Sequence, residues 1–179
     1  MSGAWPGERA RHGGVDRVPL PGPAGSLWLC GKHFIGPDHA AATSQVGAGV
    51  VVCLCRAPEL ADRYPEYLAW LEAGGDRDGP DGVEAVWSAV DDLHAPAWEA
   101  ALELVSTIRH HLDAGRGVLM HCGAGIGRAG TIAVAVLMSF GMERSEALRT
   151  VADSRPLAGP EVGAQSELLD RFAGHFRPT

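Results

Sequence analysis

Asparagine is absent from the sequence, and lysine occurs once, at Lys32, beside fourteen arginines. These absences, in a chain rich in alanine, glycine and arginine, indicate a high-GC bacterial genome. No uncharged apolar run is long enough to span a membrane, so a membrane-spanning protein is not expected. Residues 1–15 also lack the hydrophobic stretch of a signal peptide. We therefore predict a cytoplasmic protein.

Cysteine is scarce, with four residues: Cys30, Cys53, Cys55 and Cys122. In a chain without an export signal, these four predict reduced thiols rather than a disulfide framework. Positive charge is also in deficit, because the formal net charge is −7. Neither nucleic acid nor an anionic membrane is therefore expected as the main partner. Any anion site must be a local patch of positive charge, and the oligomeric state stays open.

The length and composition predict one folded domain. The chain has 179 residues, of which 46% are hydrophobic, enough to bury a single core. Residues 1–20 are rich in Gly, Arg and Pro without periodicity, and we predict a flexible N-terminal arm there. The folded domain is predicted over residues 21–177.

Strand and helix patterns alternate along that domain. Predicted strands lie near residues 26–29, 50–55, 83–90 and 117–121. Predicted helices lie at residues 59–72 with an interruption at Pro65, from Trp98 to about Leu112, and at 129–140, 145–154 and 161–176. Residues 73–82 are predicted to form an exposed loop. The alternation indicates an α/β fold with a central, mostly parallel (mixed) sheet and helices on both faces.

The segment from His121 to Arg128, His-Cys-Gly-Ala-Gly-Ile-Gly-Arg, joins an apolar strand to an apolar helix. A loop in this position curls over the helix N-terminus, where backbone N–H groups and the helix dipole favour an anion. Its glycines permit the backbone angles of a tight anion-binding turn. A thiol placed there is stabilised as the nucleophilic thiolate. Arg128 can grip two phosphate oxygens with its planar guanidinium.

This His-Cys-x5-Arg spacing resembles the signature of the protein tyrosine phosphatase superfamily. The order of features is similar to its dual-specificity and cyclin-dependent-kinase-associated branch. A Val50–Cys55 strand is followed by a loop with Asp91 and Asp92, the signature, and a last helix carrying Gln165. The resemblance implies a phosphatase catalytic domain over residues 21–177 with the cysteine-dependent phosphatase fold, and neither cofactor nor metal.

The resemblance also implies the roles of the signature residues. Cys122 is expected to be the nucleophile and Arg128 the phosphate clamp, with His121 tuning the cysteine. The phosphate is expected to be held by the backbone of the residues that follow the cysteine, which are Gly123, Ala124, Gly125, Ile126, Gly127 and Arg128.

An acid must protonate the leaving oxygen, and later a base must activate water. In the branch that the chain resembles, an Asp on a loop before a Pro-started helix does this work. Counting back from Pro96, Asp92 matches best, and Asp91 is the alternative. Either carboxylate could instead only cap a helix or face solvent.

Two further positions bear on the chemistry. A Ser or Thr follows the arginine in the family, but here the position is Ala129, which predicts a slowed release of the cysteine from the phosphoenzyme. Cys55 ends a strand expected beside that of Cys122, where related phosphatases often carry a redox partner for the nucleophile; the alternative is a small core residue. A metal site made by Cys53 with Cys55, or by His121 with Cys122, is not expected, because neither pair has further ligands at zinc spacing.

The leading hypothesis is therefore a phosphatase that hydrolyses phosphotyrosine and/or phosphoserine/threonine in phosphorylated proteins through a cysteinyl-phosphate intermediate. The rival is a phospho-binding module, or pseudophosphatase, that turns over slowly or not at all. A lipid or inositol phosphate phosphatase is less favoured, because the five residues between Cys122 and Arg128 supply no lysine for extra phosphates.

Overall fold

A six-stranded mixed sheet lies at the centre of the computed structural model, which describes residues 8–78 and 82–177. In chain order the strands are β1 (Val15–Val18), β2 (Ser26–Gly31), β3 (Ala48–Cys53), β4 (Gly75–Asp76), β5 (Val83–Trp87) and β6 (Gly117–Cys122). They lie in the spatial order β1-β2-β6-β3-β5-β4. The four inner strands run parallel, whereas β1 and β4 pair antiparallel with their neighbours at the two edges. The predicted α/β class with a mostly parallel sheet is confirmed.

Helices cover both faces of this sheet. The helices of the described residues are α1 (Glu8–His12), α2 (Lys32–Ile35), α3 (His39–Val46), α4 (Pro58–Ala61), α5 (Pro65–Glu72), α6 (Trp98–Asp113), α7 (Gly127–Ser139), α8 (Arg144–Ser154) and α9 (Gly163–His175). One core packs beneath α6 to α9, and a second packs beneath α2 to α5. Within the described ranges, no helix is both long and apolar enough to cross a bilayer.

Strand β6 separates the two cores, because successive side chains of a strand point to opposite faces. Val118, Met120 and Cys122 belong to the core beneath α7, whereas Leu119 belongs to the core beneath α5. All six residues of β6 are buried. The strand thus delivers Cys122 to the face on which α7 begins, and His121 to the opposite face.

Helix α7 is buried along its whole length, which explains its apolar sequence. It follows β6 after a loop of four residues, so its N-terminus lies beside the carboxyl end of the strand. Close packing requires glycine at Gly130, where a Cβ atom would overlap the backbone of Gly159. The predicted central helix is confirmed, with its start at Gly127 rather than Ala129.

The flexible arm expected over residues 1–20 is wrong for its described part. Residues 8–12 form α1 and residues 15–18 form β1, which pairs with β2. The segment is ordered because Asp16 accepts hydrogen bonds from Arg9 and from the buried Arg155, each at 2.6 Å. Residues 1–7 lie outside the described residues.

Other predicted boundaries of helices and strands differ from the observed ones by a few residues. The helix expected over 59–72 is split at Pro65 into α4 and α5, and the strand expected over 83–90 ends at Trp87. Helices α2 and α3 were not predicted from the sequence. The predicted loop at 73–82 contains the two-residue strand β4, and its residues 79–81 lie outside the described residues.

Candidate active site

A cavity of about 250 Å³ opens where the carboxyl ends of the inner strands meet the N-terminus of α7. Cys122, the last residue of β6, lies at it with its side chain almost fully buried. The loop after it turns back at Gly125, which has φ +73 and leaves no room for a Cβ atom beside the carbonyl of Cys30. The lining residues are Lys32, Glu59, Asp92, Leu93, Cys122, Gly123, Ala124, Ile126, Gly127, Arg128 and Glu161.

Arg128, the second residue of α7, is only 4% exposed, and its guanidinium is fixed by several hydrogen bonds. Its Nη1 and Nη2 donate to the two carboxylate oxygens of Glu59 at 2.8 Å each. Nη1 also donates to the carbonyl of Val90 at 2.9 Å. Burial lowers the pKa of Arg128, but the Glu59 hydrogen bonds and the nearby Cys122 raise it above the ordinary arginine value. The guanidinium therefore stays charged and fixed beside Cys122.

Glu59 is a site residue that sequence reasoning missed. It lies in the first turn of α4, and its Oε2 also accepts the backbone N–H of Arg56 at 2.8 Å. Burial raises the pKa of Glu59, yet the hydrogen bonds from Arg128 and Arg56 bring it below the ordinary glutamate value. The sequence offers no signal for this pairing, because Glu59 and Arg128 are 69 residues apart.

The two aspartates of the predicted acid loop point to different partners. The Asp92 Oδ1 atom lies 3.2 Å from Nη2 of Arg128, at the cavity, with a side chain that is 70% exposed. Asp91 instead accepts a hydrogen bond from Nη1 of Arg56 at 2.6 Å. That bond lowers the pKa of Asp91 below the ordinary aspartate value. Of the two, only Asp92 lines the cavity.

His121 is fully buried on the face of the sheet opposite the nucleophile. Its Nε2 lies 2.6 Å from the hydroxyl of Tyr67, and its Nδ1 lies 3.3 Å from the carbonyl oxygen of Cys122. The ring is thereby positioned to hold the backbone of the cysteine. The pairing with Tyr67 joins residues 54 positions apart and was not predicted.

Cys55 lies at the end of the segment after β3, within the core beneath α5. The Cys55 sulfur, the Cys53 sulfur and a ring nitrogen of His121 all lie within 4.8 Å of one another. The hydrogen bond with Cys53 and burial raise the pKa of the Cys55 thiol. The sequence spacing around Cys53 and Cys55 could not show this grouping, because it is the parallel pairing of β3 and β6 that places His121 beside them.

Two more charged side chains reach the cavity from outside the signature. Lys32 follows β2, and its backbone N–H donates to the carbonyl of Gly123 at 3.0 Å. Its ammonium donates to the carbonyl of Glu59 at 3.1 Å. Glu161 lies against Gly127, where a Cβ atom would overlap its carboxylate. Neither contact could be predicted, because each joins segments far apart in the sequence.

The N-terminus of α7, the loop before it and Arg128 make this cavity a site for an anion. A thiol at its base, a fixed guanidinium beside it and a carboxylate at its mouth are the groups that nucleophilic phosphoryl transfer requires. Ala129 is completely buried in the core beneath α7 and offers no hydroxyl to the thiol.

The sequence comparisons agree with this geometry. Residues 73–142 match the family model described as a polymorphic toxin system DSP-PTPase phosphatase. Dual specificity protein phosphatase 5 of Rattus norvegicus is 31% identical over 169 residues, 87% of this chain and 43% of that protein. Dual specificity protein phosphatase 22-B of Danio rerio is 38% identical over 64 residues, 35% of each chain. The chain therefore spans less than half the length of these two relatives.

Solved structures show the same fold. The active form of Tk-PTP is 28% identical with a TM-score of 0.65, covering 89% of this chain and 97% of that one. Kinase associated phosphatase with its catalytic cysteine replaced by serine has a TM-score of 0.73 at 17% identity, covering 91% and 95%. These matches support the dual-specificity branch of the protein tyrosine phosphatase superfamily as the family that the chain resembles.

Proposed function

We propose that the chain is a cysteine-dependent protein phosphatase that hydrolyses phosphotyrosine and/or phosphoserine/threonine. The observation that supports this most is the cavity in which Cys122 lies beside Arg128, with Asp92 3.2 Å from that guanidinium. The partner is then a phosphorylated protein, and the phosphate is held by Arg128 and the backbone amides that follow Cys122.

In the first step, the Cys122 thiolate attacks phosphorus and the P–O bond to the substrate breaks. Asp92 gives its proton to the leaving oxygen. In the second step, water attacks the cysteinyl phosphate, Asp92 takes a proton from that water, and the P–S bond breaks to regenerate the thiolate. His121 positions the nucleophile through the carbonyl of Cys122.

Hydrolysis of an aryl phosphate by the wild type and by Cys122→Ser tests this function. We expect the variant to lose turnover while it still binds inorganic phosphate, because the amides and Arg128 remain. Arg128→Lys should also lose most of its turnover, since an ammonium cannot form the bidentate contact. Cys30→Ser, which removes another buried thiol, is the matched control. Turnover near the wild-type rate in Cys122→Ser would refute the proposal.

A slow or inactive phospho-binding module is the second candidate, favoured by the buried Ala129. Without a hydroxyl, the departing thiolate lacks one charge-assisted hydrogen bond, worth about 1.5–3 kcal/mol. Loss of most of that slows the second step by about one to two orders of magnitude. The same aryl phosphate assay should then show a burst of product, and Ala129→Ser should raise the steady-state rate. A burst with no later turnover would favour the binding module.

A lipid or inositol phosphate phosphatase has less support. PTPMT1, whose structure in complex with PI(5)P resembles this one with a TM-score of 0.63, is 18% identical, a likeness of fold alone. The cytoplasmic location, the bacterial origin and the role of Cys55 as redox partner of Cys122 stay predictions. We also propose that the catalytic domain ends near residue 177 and begins with the folded segment at residue 8 rather than at residue 21.

A further inference from the structure

Cys53, Cys55 and His121 form a group of three metal-binding side chains under the active-site loop. Cys53 of β3 pairs with His121 of β6 in the parallel register, so the two side chains point to the same face of the sheet. Cys55 follows two residues later and lies in the same core. All three residues are completely buried, and one donor atom from each lies within 4.8 Å of the others.

A fourth donor lies against this group. The hydroxyl of Tyr67, also completely buried, is 2.6 Å from Nε2 of His121. Burial raises the pKa of the Tyr67 phenol well above its ordinary value, and the neighbouring Cys53 raises it further. Two sulfurs, one imidazole nitrogen and one phenol oxygen therefore share one small region of the core.

These donors suit zinc in type, spacing and charge. Zinc binds thiolate sulfur at about 2.3 Å and imidazole nitrogen at about 2.0–2.1 Å, so tetrahedral donors lie about 3.3–3.8 Å apart. Donor atoms up to 4.8 Å apart would have to approach one another by at most about 1.0–1.5 Å to reach this geometry. Two thiolates and a neutral imidazole leave a divalent ion with no net charge, which is the condition for burying it in an apolar core.

We propose that Cys53, Cys55 and His121 bind one zinc ion, with the Tyr67 hydroxyl in the fourth position. Binding breaks the two S–H bonds and releases two protons to solvent, and it forms two Zn–S bonds, one Zn–N bond and one Zn–O bond to the neutral Tyr67 hydroxyl. The bonds to zinc replace the hydrogen bonds that join these side chains in the absence of metal. This site does not depend on the proposed phosphatase activity, and it is separate from Cys122, whose side chain lies in the other core.

The proposed site has a consequence for the redox hypothesis. A zinc ion would hold Cys55 as a coordinated thiolate and would compete with its oxidation to a disulfide with Cys122. The metal would also fix the ring of His121, whose Nδ1 lies 3.3 Å from the carbonyl of the nucleophile.

The test uses the full chain carrying Cys122→Ser, so that the active-site thiol cannot bind metal. The protein is expressed in zinc-supplemented medium and passed over a weak chelating resin, and zinc per chain is measured by elemental analysis. We expect close to one zinc. Adding Cys53→Ser or Cys55→Ser should lower the affinity by about 100-fold or more, since even outer-shell changes cost 10–100-fold. Adding Cys30→Ser, in the same core but outside the group, should leave the zinc content unchanged.

Cobalt substitution tests the site without relying on the serine variants, which could fail to fold. Expressed with cobalt, the Cys122→Ser protein should show tetrahedral d–d absorption and thiolate-to-cobalt charge transfer. Tyr67→Phe should keep the charge-transfer band and alter the d–d bands. Circular dichroism checks that each variant is folded. A parent protein with neither zinc nor thiolate–cobalt absorption, or folded Cys53→Ser and Cys55→Ser variants that retain full zinc, would overturn the proposal.

Discussion

At the scale of single residues, the structure separates the two candidate acids by what each one faces. Asp92 lies at the cavity 3.2 Å from Arg128, whereas Asp91 is bound to Arg56 on the exposed side of the loop. The next residue, Leu93, has φ +59 and an exposed side chain, so the chain turns sharply just after Asp92. Position, rather than sequence spacing, therefore favours Asp92 as the proton donor.

If Asp92 protonates the leaving oxygen, Asp92→Asn should lower the rate by about 10²–10⁴. The loss should shrink for aryl phosphates with acidic leaving groups, because these need less protonation. The dependence is measured as kcat/KM across a series of leaving groups, because kcat/KM reports the first step even when hydrolysis of the phosphoenzyme limits the steady-state rate. Asp91→Asn removes a carboxylate from the same loop and serves as the control, with little change expected. A larger loss in Asp91→Asn than in Asp92→Asn would reverse the assignment.

The sequence was most informative where one short segment carried the chemistry. Cys122 and Arg128 lie six residues apart, and the strand, loop and helix around them place both at one anion site. Glu59 and Glu161 could not be found in this way, because their contacts with the loop depend on how distant segments pack. A single sequence contains no pattern for such contacts.

At the scale of elements, the short helix α4 positions the arginine. The helix begins with Pro58, which fixes the first turn, and Glu59 follows at once. The Glu59 carboxylate then accepts a hydrogen bond from each Nη atom of Arg128 and fixes the guanidinium at the cavity. Glu59 is a positioning residue, since it acts through Arg128.

Glu59→Gln should lower kcat/KM by about tenfold to a hundredfold, because a neutral amide loses the charge assistance of the bidentate pair. Binding of inorganic phosphate should weaken in parallel, which a purely structural role would not require. Glu66→Gln, in the first turn of the neighbouring α5, is the exposed control. Unchanged phosphate affinity in Glu59→Gln would contradict the positioning role.

The ion pair between Glu59 and Arg128 stabilises the fold only above a certain pH. The folded-state pKa of Glu59 lies below its ordinary value, so the pair stabilises the fold at any pH above the unfolded glutamate pKa. That contribution is lost as the pH falls through the lower, folded-state value. The difference in stability between wild type and Glu59→Gln should therefore disappear in acid.

Elements differed in how well the sequence predicted them. Strand β6 and helix α7 were predicted because most of their residues are apolar, and glycines mark the turn between them. Helices α2 and α3 were missed because they are short, and the interior of α3 is mostly small or polar. Strand β1 was missed because its four residues carry two charges, whose partners lie elsewhere in the fold.

At the scale of the whole molecule, Arg155 links the first described segment to the active-site loop. The side chain is 1% exposed and donates to Asp16 Oδ2 at 2.6 Å and to the carbonyl of Ala124 at 2.7 Å. It also donates to the carbonyl of Gly13 at 3.1 Å. Arg155 thus forms hydrogen bonds both with the segment predicted as a flexible arm and with the loop that follows Cys122.

Asp16→Asn should lower the free energy of unfolding by about 3 kcal/mol, because it removes a charged partner of the buried Arg155 guanidinium. Urea unfolding measures this loss. Asp113→Asn removes the partner of Arg109 at an exposed pair, and should change stability by less than about 0.5 kcal/mol. Equal stability of Asp16→Asn and wild type would show that the other partners of Arg155 suffice.

The short outer strands also affect the tendency of the protein to aggregate at high concentration. The parallel strands at the centre are rich in apolar residues. If such a strand were exposed at an edge of the sheet, it would be prone to pair with another copy of the chain. They are closed on one side by the four residues of β1 and on the other by the two residues of β4. Edges this short, each bearing charged residues, give a neighbouring molecule little backbone to extend. The N-terminal segment, which Arg155 connects to the loop after Cys122, therefore also limits edge-to-edge pairing between copies of the chain.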